Sequence, residues 1–148
     1  MRSVFVSALG LAFASLSGCS RVVPVTEPGL ASPEQATMAQ VYFWRARPER
    51  FSEYSRYVRD VAEPIDREAQ RRGAFLSVMT YETTDTTVRW THMRVFLLRD
   101  SAQWRGLSAA LADAGMRVEP DSVRRREKAA YAATLRESTG ATLTRLLR

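Results

Sequence analysis

One cysteine, one histidine, one lysine and no asparagine occur in the 148 residues of this chain. With Cys19 as the only thiol, no internal disulfide can reinforce the fold, and burial alone must supply stability. A metal centre would have to rely on carboxylates, because further thiols and a second imidazole are missing; none is expected. A serine hydrolase is disfavoured too, since there is no G-x-S-x-G and only His92 to act as base. The chain has no glycine-rich phosphate loop. Nor does its longest apolar run reach the roughly 20 residues of a membrane-spanning helix.

What the N-terminus does have is an ordered set of signals. Arg2 precedes an apolar run from Val4 to Phe13, and Leu16-Ser17-Gly18-Cys19 closes it with small residues. The pattern resembles a bacterial lipobox, which implies cleavage after residue 18 and acylation of Cys19. Two or three acyl chains on one residue exceed the two-signal threshold for stable membrane anchoring. Ser20 is not the aspartate that resembles an inner-membrane retention signal, so the expected location is the outer membrane, facing the periplasm. Residues 19–38 carry Pro24, Pro28, Gly29 and Pro33 without helical or strand period and read as a tether. Without the leader the chain has 21 Lys and Arg against 16 Asp and Glu. This mild, almost wholly arginine excess reads as compositional bias, with a surface for anionic lipid or polyanion as the alternative, and nucleic acid is not an expected partner in this compartment.

The globular part, 39–148, has room for one small domain. Gln40 to Arg45 is a β-branched and aromatic run that predicts a strand. Phe51, Tyr54, Val58, Val61, Ile65 and Ala69 recur at helical spacing, with Pro64 predicted to kink or split the helix and Gly73 to end it. Ala74 to Glu82 and Val88 to Leu98 predict an antiparallel hairpin. Asp100 reads as the N-cap of a second helix that ends at Gly115, and a further helix is predicted from Asp121. A fourth strand is not evident; Met116-Arg117-Val118 is its only trace. Arg124, Arg125, Arg126 and Lys128 form the densest basic cluster, which reads as a solvated helix face or a contact for lipid phosphates.

Val41 to Pro48 before a tyrosine-rich helix, Arg72-Gly73-Ala74-Phe75, and Trp90 to Phe96 leading to Asp100 and Trp104 together carry a resemblance. Over about Gln40 to Gly115 the chain is similar to dimeric α+β barrel domains of the antibiotic-biosynthesis-monooxygenase and NIPSNAP-like type. The resemblance implies a ferredoxin-like α+β fold, with an antiparallel sheet, helices on one face, an extra C-terminal helix from about 121, and a homodimer whose open sheet faces line a lumen. Its enzymes include cofactor-free quinone-forming monooxygenases and haem-degrading ones; the latter use Asn, Trp and His, and asparagine is absent here.

Alternation along the third strand separates Met93, Val95 and Leu97, expected under the helices, from Trp90, His92, Arg94 and Phe96, expected on the open face. Tyr42, Trp44, Ser77, Met79 and Tyr81 are expected to share that open face. Trp44, Tyr81, Trp90, His92 and Arg94 are therefore the candidate residues for a small apolar ligand, with a dimer interface as the competing use of the same surface. No catalytic residue and no cofactor is assigned. The expected role is a non-catalytic ligand-binding or scaffold module; the alternative is a barrel-type monooxygenase acting on a haem-like or aromatic substrate at Trp90, His92 and Arg94.

Overall fold

Ser32 caps a short 3-10 turn over Pro33–Gln35 through its side chain, and the chain then buries Ala36 before entering the first strand. The computed structural model describes residues 32–147; the leader, Cys19 and the tether up to residue 31 lie outside the described residues. The ordered domain thus takes in the last residues of the stretch read as tether. Strand β1 spans Met38–Ala46 and leads to α1, Phe51–Tyr57, a π-helical turn, Val58–Ala62, and α2, Glu63–Arg71. The hairpin is formed by β2, Ser77–Glu82, and β3, His92–Leu98, both shorter than their apolar runs. Helix α3, Ser101–Val118, α4, Ser122–Leu135, and β4, Arg136–Arg145, complete the domain.

The sheet order is β2-β3-β1-β4, antiparallel throughout, with helices packed on one face. This is the ferredoxin-like α+β arrangement. The fourth strand is β4, paired with β1 from Met38↔Arg145 to Ala46↔Arg136, and not Met116-Arg117-Val118, which forms the last turn of α3. Gly115 does not end that helix. Buried beside Ile65, it provides a close approach between α3 and α2. The helix from residue 121 exists, capped by the Asp121 side chain, but it returns the chain to the sheet edge. It packs on α1 through Tyr131 and Tyr57, ring centroids 6.2 Å apart, and leaves the open sheet face uncovered.

Pro64 has the largest local effect. It has no N–H to offer the carbonyl of Asp60, four residues back, and the helix widens just before it, Glu63 donating its N–H to Val58 five residues earlier. A π turn inserts one residue into the helical count. The position seven residues beyond Val58 on an uninterrupted α-helix would be Ile65; with the insertion it is Asp66, and Asp66 is buried. Past the π turn Gly73 (φ 80°) takes the left-handed cap position. The core gathers Ala69, Phe75, Phe96, Leu98, Leu107 and Ala114, with a second cluster of Ala46, Tyr54, Val58 and Leu135 nearer the other end.

Candidate functional site

The two faces of β3 are the reverse of the expected ones. His92, Arg94, Phe96 and Leu98 are buried under the helices, while Met93, Val95 and Leu97 line the open face. Register puts Tyr42 and Trp44 on the covered side with Arg94 and His92, and Met79 and Tyr81 on the open side with Val95 and Met93. Trp90 precedes β3 and lies against Phe43, centroids 6.2 Å apart. The five candidate residues are accordingly split, Trp44, His92 and Arg94 under the helices and Tyr81 and Trp90 away from them. Alternation gives two sets but not their orientation. The orientation follows from the helices, which offer Ser55 and Asp66 as partners for the two polar residues of β3.

Arg94 forms a buried ion pair with Asp66 of α2, and its guanidinium lies 5.2 Å from the Phe96 ring centre. His92 is fully buried and has both ring nitrogens engaged. Nδ1 meets Thr91 Oγ1 at 2.9 Å, and Nε2 meets Ser55 Oγ at 3.1 Å with a Glu82 carboxylate oxygen 3.5 Å away. Burial holds its pKa below the ordinary value, with Glu82 acting in the opposite direction and Arg136 adding to the depression. Serine hydroxyl and imidazole at this distance are the geometry of an activated nucleophile. Here the pair is walled in, the ring contacting Tyr54 at 4.4 Å and Phe51 at 5.0 Å, and Ser55 is itself buried. Arg136, which nothing in the sequence singled out, lays its guanidinium 4.7 Å over Trp44 and 5.4 Å over Tyr54. Burial pushes the Tyr54 phenol up to about 12. On the same covered face, Trp104 Nε1 donates to Gln40 Oε1 at 2.9 Å, and Gln40 Nε2 donates to the Thr142 carbonyl. These polar groups fasten the helices to the sheet.

An apolar space for a ligand lies within the helical layer. A cleft of about 420 Å³ opens between the π turn, the C-terminal half of α3 and the start of α4. Its walls are aliphatic, with Val61, Ile65, Leu111, Ala112, Met116, Val118 and Ala129, and Tyr57, Asp60, Glu119, Arg125 and Lys128 stand around it. A smaller hollow of about 140 Å³ continues it toward Glu53 and Tyr131, sharing Tyr57, Asp60, Val61 and Lys128. Such a volume, apolar with a few polar groups, is what small-molecule sites offer. Val61, Ile65 and Leu111 were legible only as core stripe, and the basic residues as a solvated face or a contact for lipid phosphates, not as part of a cleft. Pro64, through the π turn, is the sequence signal that turns Asp66 inward and leaves Ile65 between the core and the cleft. Among the described residues no group of three His, Cys, Asp or Glu side chains is placed to hold a metal ion, and no helix is long and apolar enough to cross a membrane.

No protein-family model matches the chain, and no curated protein does. Among solved structures, the crystal structure of HapK from Hahella chejuensis is similar to it, with a TM-score of 0.50 over 74% of this chain and 92% of that one, at 9% sequence identity. Similarity at that identity is a statement about fold, and it agrees with the ferredoxin-like arrangement read from the strand order.

Proposed function

We propose that this chain is a non-catalytic binding module of the bacterial cell envelope, anchored by an acylated Cys19 in the outer membrane and facing the periplasm, that takes a small apolar or amphipathic ligand. The observation that carries the binding role is the aliphatic cleft of about 420 Å³ between the π turn, α3 and α4. The anchoring rests on Leu16-Ser17-Gly18-Cys19. A homodimer through the open sheet face belongs to the same reading, since Val41, Phe43, Met79, Met93, Val95 and Leu97 make a continuous apolar surface that no described element covers.

The monooxygenase reading draws less support from the geometry. Trp90 lies on the open side while His92 and Arg94 are sealed beneath the helices with internal partners. Native mass spectrometry of the full chain taken from its membrane tests the proposal, with a defined small molecule bound at a fixed ratio as the expected result. Oxygen-dependent turnover of a quinol or haem by the same preparation, abolished in a folded His92→Ala variant, would overturn it. Anchoring is tested separately: Cys19→Ser should lose acyl-chain labelling, and retained labelling would contradict the assignment.

A further inference from the structure

We propose that the helical cleft binds a single aliphatic chain ending in an anionic head, with the chain against Val61, Ile65, Leu111 and Met116 and the head on Arg125. The inference rests on the ligand-binding reading and names its ligand class. Around the chain-binding part the walls are branched aliphatics, alanines and the flexible thioether of Met116. Tyr57 is the one aromatic residue there, so the cleft has no pair of flat walls between which a planar ring would stack. An adaptable aliphatic surface suits a flexible hydrocarbon chain.

Charge locates the head. Four charged residues line the cleft, Asp60, Glu119, Arg125 and Lys128. Lys128 donates to Glu119 at 2.9 Å, and that pair is internally neutralised. Arg125 is half-buried and donates through Nη1 to the carbonyls of Glu119 and Pro120, both at 2.7 Å. Those bonds are to neutral oxygens. They hold the guanidinium in place and leave its charge to attract an anion, which a carboxylate or a phosphate satisfies through the guanidinium fork. Asp60 is on the opposing wall, on the π turn, and disfavours an anion at that end, which sets the direction in which the chain enters.

The experiment uses the full chain in nanodiscs with three probes of equal chain length, an alkyl carboxylate, an alkyl phosphate and an alkyl alcohol, each carrying a diazirine near the chain end. Labelled peptides are then mapped. The expected result is labelling within 57–65 and 111–118, abolished for all three probes by Ala112→Trp, which fills the cleft from an exposed position. Arg125→Gln should weaken the carboxylate and phosphate about ten-fold or more and leave the alcohol unchanged. Labelling by the carboxylate alone supports a fatty-acid-like head, and labelling by the phosphate alone a lysophospholipid-like one. Equal labelling by all three probes with no effect of Arg125→Gln overturns the anionic head. Absence of cleft labelling while native mass spectrometry still finds a bound molecule overturns this inference and spares the wider reading. Absence of both overturns the two together.

Discussion

The sheet has a covered face in which polar residues are set among the core, and an open face that is apolar along β1 and β3. Beneath the helices lie Gln40, His92 and Arg94, each with a partner from a helix, Trp104, Ser55 and Asp66. Facing outward are Val41, Phe43, Met93, Val95 and Leu97. Burial of polar side chains is tolerated when they are hydrogen-bonded or paired, so the polar set is free to lie inside, and it fixes which helix residue meets which strand residue. Among the described residues no element covers the apolar set, and exposed surface of that kind marks interaction sites. The face that looks chemically interesting in the sequence thus holds the fold together, and the bland face is the one available to a second copy.

The largest effect should come from breaking the pairing of the covered face. Arg94→Leu leaves Asp66 buried without its counter-charge, and urea denaturation should register a loss of about 3–5 kcal/mol. Adding Asp66→Leu to that variant should restore much of the loss, because both charges then leave the interior together. Next is Trp104→Phe, which removes the donor to Gln40 Oε1 and should cost about 1–3 kcal/mol in the same assay.

His92 gives a smaller effect with a definite sign. Burial lowers its pKa in the folded chain below the ordinary 6.5. As pH falls through 6.5 the unfolded chain takes up the proton first, so the His92 contribution to stability is complete above that value. It is lost progressively as pH falls toward the lower native value. Urea midpoints at pH 7.5 and 5.5 should fall more in the wild type than in a folded His92→Gln variant; equal falls would contradict the assignment. The smallest effect on the fold itself belongs to the open face. Val95→Arg should change the stability of the single subunit by no more than about 0.5 kcal/mol, yet shift the mass measured by light scattering from dimer to monomer. Phe96→Arg, which a simple alternation reading would choose for that purpose, should instead unfold the domain, because Phe96 packs edge-on to Phe75 with centroids 5.0 Å apart.

Much of the fold was legible in the sequence because its signals are local. The β-branched runs, Asp100 and Asp121 as caps, Gly73 as helix stop and Pro64 as an interruption all act within a few residues. The orientation of β3 was not, since period-two alternation is the same from either side, and choosing a side required knowing that the π turn brings Asp66 rather than Ile65 inward. Strand β4 was hidden for another reason. Arg-Glu-Ser-Thr-Gly-Ala-Thr is polar and glycine-containing, as an edge strand with an exposed surface can be; its pairing with β1 is a long-range fact. The cleft was missed because three helices must pack before Val61, Leu111 and Met116 share a space.

Hydrogen–deuterium exchange on the full chain, with and without an alkyl carboxylate, tests the division of labour between the helical cleft and the open sheet face most directly. Added protection confined to 57–65, 111–119 and 121–129, with the strands 38–46 and 92–98 unchanged, is the predicted result. Protection of those strands with the helices unchanged would contradict it and assign ligand binding to the sheet.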